Sequence, residues 1–340
     1  MLVRINNPPQ RFSKTTVEWI GDSPLQKTEV YEEQAKSIIS QNDSPDISFT
    51  YSVNPYRGCH HGCAYCYARP THQYSDFGAG SDFETKIIAK VNAAEKLKEA
   101  FMKKSWKGER IIFSGVTDCY QPLEATYELT RKCLQVCSDF SNPVGIITKG
   151  ALIRRDIDLL KELNKKTYLK VYISLAFSDD KMSRQIEPYA PSPSVRFRTM
   201  EELAKNGISV GIGLAPVIPA LNDRQIPEIL KTAKECGADT AFMTLLRLPM
   251  EVKQIFLENI KTNFPDRCNK ITNQIKAMRG DRFNQSVFGE RMRGTGNQWE
   301  AIDFLFKSSC EKFGLNRKSR ELEEPEVSTF SRPQRQLALF

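Results

Sequence analysis

Apolar positions along this 340-residue chain follow two periods in turn. From Phe49 onward, short runs rich in β-branched and aromatic residues alternate with stretches whose apolar positions recur every three to four residues, the pattern of βα units around a parallel sheet. The runs predict strands over 49–53, 110–116, 144–148, 168–177, 208–215 and 240–246. Between them, Ile87, Ile88, Val91, Ala94, Leu97 and Phe101 predict one helix over 84–104, and further helices follow at 123–139 and around Ile153, Ile157 and Leu160. The best-marked helix covers 194–205, with Ser192 to cap it, Pro193 in its first turn and Gly207 to stop it.

Six such units make an α/β fold, a partial (β/α)6 TIM-like barrel, in which functional residues gather at the C-terminal ends of the strands. Residues 49–265 supply this barrel. Residues 1–48 carry Pro8, Pro9, Pro24 and Pro45 with one short helical candidate at 32–39, and read as an N-terminal arm. Residues 266–314 turn helical and form a C-terminal extension, whereas 315–340 are charged and proline-containing without apolar period, which predicts a flexible tail.

Composition adds little to this outline. The chain is 40% hydrophobic and 26% charged, as in ordinary soluble globular domains. No apolar run is long enough to span a bilayer and residues 1–10 lack the core of a signal peptide, which predicts a cytoplasmic protein. The net charge of +8 suits a polyanionic partner without requiring one. The densest basic stretch is Arg279, Arg282, Arg291 and Arg293 with Phe283 and Phe288 between them. Such a mixture can stack bases and hold phosphates, and it is equally a solvated face with two core phenylalanines.

Candidate chemistry concentrates in residues 51–67, YSVNPYRGCHHGCAYCY. Cys59, Cys63 and Cys66 are spaced CxxxCxxC, and His60, His61 and His72 lie within or just after the stretch. Three thiolates so close together can fill three corners of an iron-sulfur cubane and leave the fourth iron open. Zinc with His60 or His61 as fourth ligand is the alternative, but structural zinc prefers paired CxxC knuckles and no second pair occurs. Nine cysteines, an odd number, disfavour a disulfide framework. Cys133, Cys137, Cys236, Cys268 and Cys310 fall on helical patterns or beside turns, as small core residues do.

CxxxCxxC with Tyr65 just before the third cysteine resembles the signature of radical S-adenosylmethionine (SAM) enzymes, and NPYRGCHHGCAYCYARPTH is similar to their spore photolyase-like branch. The resemblance implies a [4Fe-4S] cluster on Cys59, Cys63 and Cys66 whose open iron takes the amino and carboxylate groups of SAM. It further implies an electron donor, a 5′-deoxyadenosyl radical and a nucleic-acid substrate, DNA before RNA, with a peptide as the alternative. Thr117 and Asp118 match the strand end that contacts the cofactor's amino group, Lys149 a lysine near its carboxylate or ribose, and Ser174 a ribose contact. Read as residues alone, Asp118 is equally a helix cap, and Ser174, inside the apolar run ISLAF, needs a hydrogen-bond partner of some kind.

Arg184 and Glu187 match rim positions of the same branch, or form an ion pair that anchors a loop. Tyr67 stands where the branch has a tyrosine that works with a hydrogen-donating cysteine. The cysteine's position is Gly115 here, and the nearest thiol is Cys119. At the C-terminus, Gln336, Leu337, Leu339 and Phe340 in QLALF are similar to the peptide by which bacterial repair proteins bind the sliding clamp. An apolar end folded back on the body is the other reading. Should catalysis be absent, the chain would be a clamp-recruited iron-sulfur scaffold.

Overall fold

The computed structural model describes residues 28–317 and 328–333. Ten strands run in chain order: β1 Glu29–Glu33, β2 Ile39–Gln41, β3 Tyr51–Val53, β4 Tyr56–Arg57, β5 Lys86–Lys90, β6 Ile111–Phe113, β7 Val144–Thr148, β8 Leu169–Ser174, β9 Val210–Val217 and β10 Thr240–Leu245. Six of them, β3, β6, β7, β8, β9 and β10, pair in parallel, each beside its predecessor, and β2 closes the β3 edge antiparallel. This is the open six-unit barrel that the apolar pattern predicts.

Helices Leu129–Asp139, Ile157–Lys166, Pro193–Lys205 and Ile226–Glu235 cover its outside. Their inward residues, among them Leu134, Leu160, Leu163, Met200, Leu203, Ile229 and Leu230, share one buried core with Val53, Phe113, Ile146, Val171 and Ile212 of the strands. Each such side chain contributes about 1.5–3 kcal/mol by leaving water, so the continuous core dominates the stability of the fold. Ser192 stands before the helix Pro193–Lys205, but its hydroxyl turns to Ser194 at 2.9 Å and makes no side-chain cap.

Two expectations are corrected. The helix predicted over 84–104 is broken: Ser81–Thr85 is a short helix, Lys86–Lys90 is strand β5, and only Ala93–Met102 continues as a helix. Ile87 and Ile88 fit either period, and tertiary pairing decides, because β1 and β4 bond to β5 on its two sides in a separate three-stranded sheet. The helical candidate at 32–39 is likewise absent, and its two ends belong to β1 and β2.

Residues 328–333, inside the stretch expected to be a flexible tail, lie packed across the floor of the barrel at the N-terminal ends of β6, β7 and β8. Phe330 stacks near Phe140 at 6.0 Å and edge-on to Phe101 at 5.8 Å. The Ser331 N–H donates to the Phe140 carbonyl at 2.9 Å, and Arg332 donates to the carbonyls of Phe101, Lys103 and Trp106 at 3.0, 2.7 and 2.9 Å. Apolar period is no guide to a segment this short, whose anchors are one ring and one guanidinium. QLALF lies outside the described residues. No helix among them is long and apolar enough to cross a membrane.

Candidate active site

The cysteine loop leaves β3 at its C-terminal end, so it opens at the barrel mouth. Backbone and side-chain bonds brace it from several elements. The Cys59 N–H donates to Phe83 at 2.8 Å, the Ala64 N–H to Ile186 at 2.9 Å, and Tyr189 N–H to His61 at 3.2 Å. Gln121 reaches back with Oε1 accepting from the His60 N–H at 3.1 Å and Nε2 donating to Gly58 at 3.2 Å. Arg69, fully buried, donates to the carbonyls of Gly62 and Cys63 at 2.9 Å each and also to Ala79, Gly80 and Glu84. These bonds satisfy the backbone carbonyls and N–H groups they involve without water and brace the loop.

Cys59 and Cys63 are buried, and Cys66 is half-buried against the apolar groups that contain each of them. Burial pushes the Cys63 thiol up to about 12, despite the Lys149 ammonium, and raises Cys59 further, with the neighbouring thiols adding to it. Thiolates at these positions therefore call for a cationic centre beyond what the protein supplies. Among the described residues no three His, Cys, Asp or Glu side chains converge on one ion-sized point, as tetrahedral zinc would need. Three thiols on one braced loop could each be taken by a different iron of a cubane.

Behind the loop stands a buried wall. The Tyr65 hydroxyl donates to Glu187, which also forms an ion pair with Arg196, both side chains being 0% exposed. Ser183 donates to Glu187 at 3.1 Å, and Arg196 donates to Pro191 and Ser174 carbonyls at 2.6 and 3.1 Å. Burial alone would raise Glu187, but Arg196 and Lys149 overcome it and hold its carboxyl below the usual range. Of the two readings for Glu187, the structure shows the anchoring ion pair, with a partner that sequence reasoning missed. A signal was present: Arg196 shares the buried helix face of Met200 and Leu203, an odd place for a charge without a mate. Among the described residues Arg184 donates to the Pro188 carbonyl, at 2.9 Å.

The strand-end residues divide into two groups. Asp118 accepts from the Tyr120 and Lys149 N–H groups at 2.9 and 2.7 Å and from the Thr148 hydroxyl at 2.5 Å, and it lies 3.5 Å from His61 Nδ1. Burial holds His61 down to about 4, so this last contact is with a neutral imidazole. Three hydrogen bonds thus hold the carboxylate, and those from Thr148 and Lys149 tie the end of β6 to the end of β7. The Thr117 hydroxyl likewise donates to Tyr56 at 3.1 Å. By contrast, among the described residues the Lys149 ammonium and the Ser174 hydroxyl have no hydrogen-bond partner, and Lys149 lies 5.6 Å over the Tyr65 ring.

Tyr67 and Gly115, separated by a whole βα unit, meet at the mouth. The Tyr67 hydroxyl donates to the Gly115 carbonyl at 2.5 Å while its ring stays 55% exposed. Burial of the hydroxyl and the Cys66 thiol push it up to about 12, with Lys149 and Arg247 acting the other way. Cys119 does not replace the missing thiol, since it is buried in the main core with its sulfur toward Phe113.

Fold and site together define a radical SAM barrel. A family model of the radical SAM superfamily matches residues 53–233, so the chain belongs to that superfamily. The family implies a [4Fe-4S] cluster and SAM. An uncharacterized protein of Mycobacterium tuberculosis is 37% identical over 194 residues, 56% of this chain and 57% of that one, so the chain spans little more than half of that relative's length. A protein of Pseudomonas phage M6 named radical SAM Nalpha-GlyT isomerase is 25% identical over 193 residues, 56% of this chain and 38% of its own. Among solved structures, spore photoproduct lyase complexed with dinucleoside spore photoproduct has a similar fold, with a TM-score of 0.60 at 14% identity over 84% of this chain and 80% of that one.

Proposed function

We propose that the chain holds a [4Fe-4S] cluster on Cys59, Cys63 and Cys66 and acts on nucleic acid, DNA first. The observation that carries this is the braced loop of three thiols, two buried and one half-buried, at the mouth of a six-unit barrel, flanked by a lysine with no hydrogen-bond partner among the described residues. When bound, cluster and cofactor supply reductive cleavage of SAM and a 5′-deoxyadenosyl radical that takes a hydrogen atom from substrate. Lys149 and Ser174 offer the cofactor a cation and a hydroxyl that the protein leaves free. Tyr65, fixed by Glu187, walls the site, and Thr117 and Asp118 hold the strand end that presents it. Tyr67 faces the substrate side as the hydrogen-transfer residue.

The dinucleoside held by the structural relative supports a nucleic-acid substrate. The bare Gly115 and the buried Cys119 argue for a reaction that does not use that relative's cysteine position. QLALF tethers the enzyme to the sliding clamp, a cytoplasmic electron donor reduces the cluster, and deleting Leu339 and Phe340 should abolish clamp binding in a pull-down.

Anaerobic reconstitution should give about four irons per chain with cleavage of SAM to 5′-deoxyadenosine. Full cleavage by Cys63→Ala would overturn the cluster assignment. Deuterium should enter 5′-deoxyadenosine from labelled DNA, and label arriving only from protein fractions would replace the nucleic-acid reading with a peptide one.

A further inference from the structure

Just beyond β10 the chain carries Arg247 to the rim beside Tyr67. Its Nη1 approaches Met292 Sδ at 3.7 Å, its Nε is buried without an acceptor, and among the described residues no carboxylate pairs with it. The two arginines packed nearest in the same region, Arg279 and Arg291, are bonded elsewhere. Arg279 donates to the carbonyls of Leu245, Leu246, Arg291 and Arg293 at 2.8–3.1 Å. Arg291 donates to Asp46 at 2.5 Å, whose other oxygen accepts from the Gly289 N–H at 2.6 Å. Asp46 thus gives its hydrogen bonds to Arg291 and Gly289 and acts on Arg247 only through space, and burial together with Arg291 outweighs it and holds the Arg247 guanidinium below the usual arginine range. A half-buried cation without a hydrogen-bonded counter-ion is a destabilising feature until an anion arrives.

Phe288 completes the feature. It is 54% exposed and Arg291 covers its other side at 4.5 Å from the ring centroid. An aromatic face backed by a guanidinium is a stacking platform for a base. We propose that Arg247 seats a phosphodiester of a nucleic-acid strand and that Phe288 stacks an adjoining base. This rests on the nucleic-acid reading above. The forked guanidinium matches phosphate geometry, and the aromatic neighbour favours a nucleotide over a peptide carboxylate. Lys149, at the end of β7, is the separate cation reserved for the cofactor. Of the basic stretch visible in the sequence, Arg279 and Arg291 thus frame the site and Phe288 supplies the stacking face, while the phosphate seat, Arg247, is a residue the stretch does not include.

The experiment is fluorescence-anisotropy binding of a short single-stranded DNA to the reconstituted full chain across a salt series, with an abasic strand of equal length alongside. Arg247→Gln should weaken both strands about tenfold and lower the salt slope by about one. Arg247→Lys should keep the slope. Phe288→Ala should weaken the intact strand and leave the abasic one unchanged. Binding by the wild type that Arg247→Gln leaves intact, or weakens with no change of slope, overturns the Arg247 seat while sparing the nucleic-acid reading. No binding of either strand by the wild type overturns both.

Discussion

Strand β6 has a glycine on either side, and their surroundings differ. Gly108, before the strand on the barrel floor, has φ +82°, and a Cβ there would stand 2.2 Å from Phe330. Gly115, after the strand at the mouth, has φ +108°, and a Cβ would meet nothing within 4 Å. The floor is filled: Phe101, Trp106, Phe140 and Phe330 pack ring on ring, and the Trp106 indole donates to Asn142 at 2.9 Å. The mouth is open, and among the described residues Lys149 and Ser174 have no hydrogen-bond partner there and Arg247 has no hydrogen-bonded carboxylate. One end of the same strand is spent on stability and the other is left for a ligand. The mouth is tolerable because a satisfied wall stands behind it.

That wall gives the largest expected effect. Arg196→Met leaves Glu187 buried against Tyr65 without its main counter-charge, and stability should fall by about 3–5 kcal/mol in denaturant unfolding. Adding Glu187→Gln should return part of the loss. A loss below 1 kcal/mol would mean the wall is no firmer than a surface ion pair.

Next is a pH effect beside the cysteine loop. His72 is buried between Phe77 and Phe83 at 5.2 and 5.5 Å, and burial lowers its pKa to about 4 from 6.5. Between those values the unfolded chain binds the proton that the folded chain refuses, so stability falls as pH drops from 6.5 toward 4. The loss from this group is on the order of 3 kcal/mol. His72→Leu should flatten that limb of the stability–pH curve, and an unchanged limb would show that other groups account for it.

On the floor, Phe330→Ala should cost about 2–3 kcal/mol, the low end for a phenylalanine because the ring is only partly buried. SAM cleavage per folded molecule should not change. Gly108→Ala should cost about the same through overpacking. In the double variant most of both costs should persist, since Phe330→Ala removes the ring but keeps the Cβ that a methyl group at position 108 would meet at 2.2 Å, and Ser328 Oγ stays at 2.6 Å.

The strands, the barrel and the cysteine loop were legible because each rests on local pattern: β-branched runs, amphipathic spacing and thiols a few residues apart. The misses share one physical cause. Lys86–Lys90 is a strand because β1 and β4 flank it, and Arg196 matters because Glu187 lies across a proline-rich turn. Arg247 stands out only once Asp46, some two hundred residues earlier, is seen to be taken by Arg291. The pairing of Tyr67 with Gly115 was half legible. Resemblance named both positions, and folding supplies the hydrogen bond between them.

Gly115→Ala should have the smallest effect and is the sharpest test of the contrast between the two ends of β6. With open space around the new methyl group, only the left-handed backbone conformation opposes it, at about 1 kcal/mol. Ser114, at φ 129°, holds a positive φ beside it without being glycine. The bond from Tyr67 goes to a backbone carbonyl and should survive the change. Denaturant unfolding of Gly115→Ala beside Gly108→Ala measures the difference directly. A loss at Gly115 as large as that at Gly108 would mean that the mouth is as tightly filled as the floor, and the space assigned to substrate would not exist.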